Sequence, residues 1–483
     1  MKVEHDTVYV NGVFAPALTK SRISVVNPAT GQEFGTVPSC GAEDVDRAVG
    51  AARLAFDEGR WHEFSASERA KALDGFADEL ALRTDDFAHA ITREAGFASA
   101  VTATSHVGVA IEFVRYYADL TRDSAEADVR WSALAHADVR IRRCPLGVVA
   151  VLVPWNIPLL GALSKIAAAL AAGCTVVYKP SPETPLTGYL LAEAADAAGF
   201  PPGVINVIPA DMAGSQHLVS HRDVDMVAFT GSTAVGRSIA QTCAADFRRY
   251  ALELGGNAAA IVLDDAPLEL VAPGLAMLGV ALNNGQACIA QRRILVPRDR
   301  HDEIVAALAA AVAALPVGDP TDPTVIVGPL ISAAHRERVL NHIRKAQAAG
   351  AVVVVGGGAP DRDGFFVEPT VLSNVTNDMH IAQEEVFGPV VCVIAYDTVE
   401  DAIRIAGDTE YGLSSSIWSA DLERAELVAR RLRVGSVYIN GTMALDPAVP
   451  FGGFGDSGVG RELGPEGLDE YTEIQSIFVP AVG

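Results

Sequence analysis

Two different spacings of apolar residues divide the chain. After the polar run GAED at 41–44, apolar residues recur every three or four positions up to Phe56, which is the period of an amphipathic helix. From Arg143 onward, short apolar runs alternate with alanine-rich segments, a pattern typical of βαβ units and a parallel sheet. The sequence therefore predicts a helical N-terminal part followed by an α/β fold.

The alternating part of the sequence predicts an order of strands and helices. The first set comprises strands at 147–153, 175–178, 204–208 and 226–229, with helices at 159–172 and 185–198. A second α/β unit is expected after Gly255 and Gly256. It comprises strands at 258–263, 293–296 and 352–355, with helices at 268–282, 302–315 and 333–349.

A polar segment between Arg122 and Arg142 interrupts this alternation. It ends in the alternating stretch 138–142, which is typical of a strand, so we expect a separate hairpin here. The stretch from Tyr471 to Val479 is also expected to form a strand.

The composition narrows the class of protein. A chain of 483 residues exceeds one ordinary hydrophobic core, which favours two or three domains, and 50% hydrophobic with 20% charged residues indicates a packed globular protein. A net charge of −23 without any basic run argues against nucleic acid as a partner. A phosphorylated cofactor remains possible, because backbone N–H groups at a helix start bind phosphate without net positive charge.

The cysteines and the N-terminus predict a reduced, cytoplasmic protein without a metal site. The six cysteines form no C-x-x-C and no metal-ligand spacing, and MKVEHDTVYV has acids where a signal peptide needs basic residues. The uncharged run from Cys144 to Ser164 is long enough to span a bilayer. Pro154, Asn156 and Pro158 interrupt it, which favours a buried strand and helix and no membrane partner.

Cys288 is the candidate nucleophile among the cysteines. It follows the polar, glycine-containing segment NNGQA, which comes directly after an apolar helix. Such a loop can present a thiol to a cleft, where a thiolate is a strong nucleophile. A free cysteine is more often a small buried apolar residue. That interpretation is kept for the other five cysteines: Cys40, Cys144, Cys174, Cys243 and Cys392.

Glu253 and Asn156 are candidate partners of this thiol. Glu253 lies between apolar residues and next to two glycines, so burial would raise its pKa and suit it to act as a general base. A capping or surface-paired glutamate is an equal alternative. Asn156 falls where a strand ends and a helix begins, so its amide could stabilise an oxyanion. That segment alone favours a helix cap instead.

Three segments offer groups for a nucleotide. FTGSTAVG predicts a strand, a tight turn with Gly231 and Ser232, and a helix start that can hold phosphate. It is not G-x-G-x-x-G, and the same residues can simply cap the helix. Lys179 closes a strand and could bind ribose hydroxyls or a phosphate. The acidic pair at 384–385 could bind a second ribose or be a solvated pair.

Seven sequence blocks occur between residues 153 and 464, in the order PWNIP, KPSPETP, FTGSTAVG, LELGGN, GQAC, EEVFGPV and PFGGFGDSGVGRELG. Together, in this order, they resemble the aldehyde dehydrogenase superfamily. The resemblance implies an α/β fold and a homodimer or homotetramer. The fold would have a Rossmann-like cofactor domain (1–121 and 143–254), an α/β catalytic domain (255–455), and a β oligomerisation arm with the C-terminal segment (122–142 and 456–483).

The resemblance also implies an activity, the oxidation of an aldehyde to the carboxylic acid with NAD(P)+. Cys288 would form the thiohemiacetal and the thioester, and Glu253 would activate the water that hydrolyses the thioester. Asn156 and the Cys288 backbone N–H would hold the oxyanion. Lys165 and Glu462 match positions near the active site, with Glu462 in a proton relay.

Cofactor-binding roles follow from the same resemblance. Lys179 would bind the adenine ribose, Ser232 the pyrophosphate and Glu385 the nicotinamide ribose. Phe387 would pack beside the nicotinamide, and Trp155 would line the adenosine side. The remaining cofactor positions are Glu183, Gly231, Gly236, Leu254 and Gly255.

The sequence leaves the choice between NAD and NADP open, because one position departs from the usual pattern. Many NAD-preferring members of the superfamily have Glu three residues after the lysine that corresponds to Lys179, where this chain has Pro182 followed by Glu183. We expect NAD, because Glu183 would repel a 2′-phosphate and no arginine stands nearby to bind one.

The substrate is expected to be an uncharged aliphatic or aromatic aldehyde. The positions that match the family's substrate tunnel are apolar or small and include no arginine to pair a carboxylate. They are Ile157, Gly161, Ser164, Ile289, Leu445 and Phe451. The alternatives are a semialdehyde dehydrogenase, a CoA-acylating enzyme, which would lack Glu253, a catalytically silent relative, and a zinc alcohol dehydrogenase, for which the metal-ligand clusters are missing.

Overall fold

The computed structural model describes residues 3–122 and 127–480. The N-terminal part begins with five strands, so the prediction of a helical N-terminal part is wrong for this stretch. Asn11 and Gly12 both have left-handed backbone conformations, with φ of 55° and 77°, and form the two-residue turn of a hairpin. The strands are β1 (Val3–Glu4), β2 (Thr7–Val10), β3 (Val13–Pro16), β4 (Arg22–Asn27) and β5 (Gln32–Pro38).

Helices follow these strands, as the apolar spacing predicts. The first one buries Val45, Ala48 and Val49 on one face, in agreement with the predicted amphipathic helix. A π-helical turn over Thr102–Gly108 lies between the last two helices. The helices are α1 (Ala42–Asp57), α2 (Ala66–Leu82), α3 (Thr84–Ala95), α4 (Ser99–Val101) and α5 (Val109–Arg122).

An eight-stranded sheet forms the first α/β unit, in the strand order β22-β12-β11-β8-β9-β10-β2-β3. The five strands from β12 to β10 run parallel, and antiparallel strands flank them. The elements are β8 (Val148–Leu152), α6 (Pro158–Ala172), β9 (Thr175–Lys179), α7 (Leu186–Ala198), β10 (Ile205–Val207), α8 (Met212–Ser220), β11 (Met226–Thr230), α9 (Thr233–Ala244), β12 (Arg249–Glu253) and, from far along the chain, β22 (Gly458–Val459).

A seven-stranded sheet forms the second α/β unit, in the order β15-β16-β17-β14-β13-β19-β20, with β15 antiparallel at one edge. A π-helical turn (Ala276–Ala281) and 3₁₀ turns (Leu282–Gly285 and Arg298–Arg300) separate some of its elements. They are β13 (Ala258–Val262), α10 (Leu268–Leu275), β14 (Gln291–Pro297), α11 (His301–Ala313), α12 (Ala333–Ala348), β15 (Val352–Val355), β16 (Thr370–Ser373), α13 (His380–Gln383), β17 (Val390–Tyr396), α14 (Val399–Gly407), β19 (Ser414–Trp418), α15 (Leu422–Ala429) and β20 (Ser436–Ile439).

A third, three-stranded sheet consists of the predicted hairpin and the predicted last strand. We call this sheet, in the order β23-β7-β6, the arm. Its strands are β6 (Asp128–Ser132), β7 (Ala137–Pro145) and β23 (Thr472–Pro480), and residues 123–126 of the predicted hairpin lie outside the described residues. A two-stranded ladder of β18 (Tyr411–Gly412) and β21 (Phe454–Gly455) and the short helix α16 (Gly464–Asp469) complete the description.

Burial explains why the parallel strands meet the predictions so closely. All residues of β8, β9 and β11 are buried, as expected for strands covered on both faces. Helix α6 is buried over its whole circumference, which is typical of a helix enclosed between other elements. No helix within residues 3–122 and 127–480 is long and apolar enough to cross a membrane.

The carboxyl ends of β8, β11 and β12 carry three of the motif blocks, and they lie next to one another in the eight-stranded sheet. Adjacent parallel strands open their carboxyl ends toward one crevice, which is where α/β sheets bind ligands. The loop before β14 supplies the block with Cys288 from the second α/β unit. We call this meeting point the cleft. The predicted domain boundaries stay a prediction.

Candidate active site

Cys288 lies in the loop after the 3₁₀ turn Leu282–Gly285 and is partly buried. Burial raises the pKa of its thiol to about 12; the carboxylates of Glu385 and Glu253 add to the rise, and the Arg292 guanidinium opposes it. At neutral pH the side chain is therefore a thiol, and a nucleophilic role requires a base that removes its proton.

Glu253 is the last residue of β12 and is buried, with only 5% of its surface exposed. Its Oε2 atom has no hydrogen-bond partner among the described residues. Burial raises the pKa of Glu253 well above its usual value, the Glu462 carboxylate raises it further, and Lys165 opposes both. Gly452 leaves room for this carboxylate, because a Cβ atom there would lie 2.8 Å from Glu253 Oε1. The geometry favours the buried general base over a capping or surface role.

Asn156 lies between β8 and α6, and its side chain makes no helix cap: α6 begins at Pro158 without any side-chain capping bond. Asn156 Nδ2 instead donates to the Gln286 carbonyl oxygen at 2.9 Å, two residues before Cys288. This bond uses one of the two amide hydrogens, so the second is available to a bound ligand. The amide is therefore held beside the cysteine loop, where an oxyanion donor is needed.

Lys165 is a fully buried cation in the middle of α6, and such a charge requires partners. Its Nζ forms a close ion pair with Glu462 and donates to Thr230 Oγ1 at 2.5 Å. Ser164 donates to the other oxygen of Glu462, Oε2, at 2.8 Å. Ser164 is thus bonded to this ion pair, and its predicted place in the wall of the substrate pocket stays a prediction.

The turn between β11 and α9 contains the predicted phosphate-binding residues. Ser232 is the N-cap of α9 and accepts from the Val235 backbone N–H at 3.4 Å, so the capping alternative describes its bond here. A Cβ atom at Gly236 would lie 2.4 Å from a Leu254 methyl carbon. The glycine therefore brings the start of α9 close to the end of β12. This 12-residue helix begins directly after the turn, and the backbone N–H groups of a first helical turn are those that can bind a phosphate.

Lys179 ends β9 and is largely buried. Burial lowers the pKa of its ammonium to about 8, against the opposing charge of Glu183. Glu183 is exposed and accepts from Ser181 Oγ at 2.5 Å. A buried ammonium at a strand end, next to an exposed carboxylate, suits the hydroxyl groups of a ribose.

Glu385 reaches the glycine pair that follows Glu253. Its Oε1 accepts from the Gly256 backbone N–H at 3.1 Å, and a Cβ atom at Gly255 would lie 2.5 Å from its Oε2. Arg292 Nη1 lies 3.7 Å from Glu385 Oε1. Burial raises the pKa of Glu385 while Arg292 lowers it, so the structure excludes the solvated acidic pair for this residue.

Phe387 has a left-handed backbone conformation, with φ of 57°, and its carbonyl is held at 2.7 Å by His335 Nε2. Its ring packs edge-on against Trp155 with centroids 5.5 Å apart. The sequence prediction placed Trp155 on the adenosine side and Phe387 beside the nicotinamide, whereas the two rings are in direct contact here. The part of the cofactor that each ring meets stays a prediction.

Apolar side chains surround Cys288. Ile289 is buried beside it, and the partly buried Phe451 contacts both this cluster and the core of the eight-stranded sheet. Ile157 and Leu445 also pack against that core. A Cβ atom at Gly161 would lie 3.2 Å from the Ile157 side chain, so the glycine lets that side chain pack on α6. The predicted pocket residues other than Ser164 therefore pack beside Cys288 or against the core of the eight-stranded sheet, and their place in a substrate pocket stays a prediction.

Several residues of the cleft were missed by the sequence prediction. Arg292 donates to the carbonyl oxygens of Gly285 and Ala287 and so holds the loop that carries Cys288. Thr230, His335 and Asn283 were also missed. Thr230 and Asn283 could have been found, because they stand inside the FTGSTAVG block and the NNGQA segment, whereas Arg292 and His335 have no local signal.

Comparison with known proteins agrees with this geometry. The profile of the aldehyde dehydrogenase family matches residues 14–477. A geranial dehydrogenase from Castellaniella defragrans is 44% identical over 99% of this chain and 100% of its own length. A Mycobacterium tuberculosis aldehyde dehydrogenase complexed with NAD+ superposes with a TM-score of 0.96 at 42% identity, covering 99% of both chains.

A further solved structure, a Pseudomonas syringae aldehyde dehydrogenase C mutant complexed with NAD+ and octanal, has a TM-score of 0.95 at 38% identity, covering 99% of this chain and 97% of the other. The chain belongs to the aldehyde dehydrogenase family. The predicted family and fold class are confirmed, and the zinc alcohol dehydrogenase alternative is excluded.

Proposed function

We propose that this protein oxidises an uncharged aldehyde to the carboxylic acid through a thioester on Cys288. One observation carries the proposal: three groups from separate segments meet in the cleft. The Asn156 amide is bonded to the cysteine loop, and the Glu253 carboxylate interacts electrostatically with the thiol and keeps an unpaired oxygen. A nucleophile, a base and an oxyanion donor are the parts that acyl chemistry needs.

In the first step, Glu253 withdraws the thiol proton as Sγ bonds to the aldehyde carbon. The carbonyl oxygen becomes an oxyanion, which accepts from the free hydrogen of Asn156 Nδ2 and from the Cys288 backbone N–H. The thiol pKa of about 12 makes this proton removal the demanding part of the step.

The residues of the cleft fit NAD+. Lys179 and Glu183 suit the adenine ribose, the start of α9 with Gly231 and Ser232 suits the pyrophosphate, and Glu385 suits the nicotinamide ribose. When bound, NAD+ supplies the hydride acceptor for the oxidation. Both solved relatives described above are complexes with NAD+.

Before the last step, Glu253 releases the thiol proton toward the Lys165–Glu462 pair. It then takes a proton from water, the water oxygen bonds to the thioester carbon, and the C–S bond breaks. The acid leaves, and the sulfur recovers a proton. A raised pKa makes Glu253 a stronger base than an ordinary carboxylate. The Lys165–Glu462 pair stands beside it and can pass the proton outward.

The substrate proposal rests on the apolar surroundings of Cys288. Geranial and octanal, which appear in the names of two relatives, are both uncharged aliphatic aldehydes. A charged semialdehyde would need a cationic partner in the pocket, and the predicted pocket residues supply none.

The arm supports a proposal about assembly. Exposed apolar side chains cover it, with Ile474 at 68%, Phe478 at 59% and Trp131 at 58% exposure. β23 is an edge strand with unpaired backbone groups, which can extend the sheet of a second copy. We therefore propose a homodimer or homotetramer that buries the arm.

The test is a panel of aldehydes assayed by reduction of NAD+, with Cys288→Ala as the control variant. We expect hexanal and benzaldehyde to exceed succinic semialdehyde in kcat/KM, free acid as the product with or without CoA, and a loss of at least about a thousandfold for Cys288→Ala. Retained activity in Cys288→Ala would refute the mechanism. Preference for succinic semialdehyde would refute only the substrate class.

A further inference from the structure

His106 is a buried histidine that the proposed mechanism leaves without a role. It belongs to the π-helical turn Thr102–Gly108, and only 3% of its surface is exposed. Its Nε2 lies 3.0 Å from Asn283 Oδ1, a residue 177 positions away. π-helical turns inside helical segments frequently occur at functional sites, so this contact calls for an explanation.

The direction of the hydrogen bond between His106 and Asn283 follows from the neighbouring bond between Asn283 and Asn156. Asn283 Nδ2 donates to the Asn156 carbonyl oxygen at 3.0 Å, so its Oδ1 faces His106 and accepts. Turning the Asn283 amide around would place Oδ1 against another carbonyl oxygen, which is repulsive. His106 therefore carries its proton on Nε2, and its buried Nδ1 is the atom without a partner.

The His106 ring is fixed in place. It stacks on the buried Phe97 ring, with centroids 5.1 Å apart and planes 19° apart. Burial lowers the pKa of His106 to about 4, so the ring is neutral at neutral pH. It acts as a fixed, uncharged donor.

Asn283 connects this donor to the catalytic groups. Its backbone is left-handed, with φ of 48°, and its carbonyl accepts from the Gln286 backbone N–H at 2.9 Å. Gln286 in turn accepts the Asn156 side chain through its own carbonyl. Both the main chain and the side chain of Asn156 are thus attached to the loop that carries Cys288, and His106 fixes the amide at the junction.

We propose that His106 and Asn283 are positioning residues that hold the Asn156 amide in register with Cys288. The inference rests on the proposed function, because it assigns these residues a role through the oxyanion donor. A displaced donor weakens oxyanion stabilisation without removing any group that touches the cofactor.

The matched pair His106→Gln and His106→Asn tests the proposal. Glutamine places an amide N–H near the position of histidine Nε2, whereas the shorter asparagine cannot reach Asn283. We expect His106→Asn to lower kcat by about tenfold to a hundredfold, in line with the cost of misplaced catalytic groups, with KM for NAD+ unchanged. His106→Gln should recover most of that loss.

Two further variants separate positioning from general stability. Asn283→Gly removes the bridging amide at a residue whose left-handed backbone glycine tolerates, and it should reproduce the loss in kcat even if His106→Asn does not fold. In an Asn156→Ala background, His106→Asn should cost less than threefold, because the group that it positions is already absent.

The proposal is overturned if Asn283→Gly keeps kcat within twofold of wild type. It is also overturned if the cost of His106→Asn is equally large with and without Asn156, or if His106→Gln loses as much as His106→Asn. Failure of the proposed function itself would look different, because Cys288→Ala would then retain activity.

Discussion

The cleft and the arm differ in burial: the strands that lead to the cleft are buried, whereas the arm exposes apolar side chains. In the cleft, polar groups stand at the ends of strands whose residues are all buried, as in β8 and β11. In the arm, β23 exposes seven of its first eight residues at least partly, and apolar side chains are among the most exposed. Buried strands fix the backbone, so the side chains that follow them are held within narrow limits. The arm has no such cover within a single chain, and in the proposed oligomer a partner would supply it.

Of the variants that test the contrast between the cleft and the arm, Glu253→Gln in the cleft is expected to have the largest effect. Because the amide cannot accept a proton, hydrolysis should slow and kcat should fall by about a hundredfold to ten-thousandfold. The first turnover should slow as well, because Glu253 also removes the thiol proton, and rapid mixing would measure this as a slower first release of reduced nucleotide. A variant with wild-type kcat would remove Glu253 from the mechanism.

The pH profile of the wild-type protein sharpens the same prediction. The working form of Glu253 is the carboxylate, and its pKa is raised, so activity should be lost as the pH falls through that raised pKa. The acid limb should therefore lie at higher pH than for an ordinary glutamate. This limb should disappear from the hydrolysis step in Glu253→Gln.

The next effect concerns the arm. Ile474→Asp combined with Phe478→Asp places two charges on one face of β23 and should reduce the mass in solution measured by light scattering. Gln475→Asp, which puts a charge on the opposite face of the same strand, is the control. An unchanged mass in the double variant would mean that this face of the arm is not the contact.

A smaller effect is expected from a glycine of the cleft that has no room for a side chain. Gly236→Ala puts a Cβ atom 2.4 Å from the Leu254 side chain, and such overpacking costs about 1–3 kcal/mol. We expect a lower Tm and a higher KM for NAD+. Gly50→Ala, also within a helix but with open space around it, is the control and should not lower Tm.

The smallest effect is expected from Glu183→Gln. Glu183 is exposed, so solvent screens its charge, and the ratio of NADP to NAD use should rise only about threefold to tenfold. The rise should shrink at high salt. A ratio that stays constant would show that Glu183 does not select the cofactor.

The strands of the sheets were the most predictable part of the fold. Continuous apolar runs such as 148–152 and 226–230 arise because both faces are covered, and the predicted bounds differ from the observed ones by one residue. The strands between Val3 and Pro38 were missed because their burial alternates irregularly, although the Asn11–Gly12 pair is a recognisable hairpin signal.

The sequence pointed to the motif residues of the candidate site but not to the residues that hold them in place. Arg292 and Arg293 look like the polar end of a strand, yet both are buried, because backbone carbonyls distant in sequence accept their N–H groups. The contact between Trp155 and Phe387 was missed because ring contacts depend on backbone geometry, here the left-handed Phe387. The spacing of residues along the sequence does not predict such contacts.

The position of β22 late in the chain determines when the surroundings of Glu253 are completed during synthesis. It pairs with β12 at Glu253 itself, and Glu462, three residues beyond it, reaches back over 297 positions to Lys165. A growing polypeptide whose ribosome has passed Cys288 but not Glu462 lacks the strand that pairs with β12 and the carboxylate that further raises the pKa of Glu253. The surroundings of Glu253 are therefore completed only when the last part of the chain has been made.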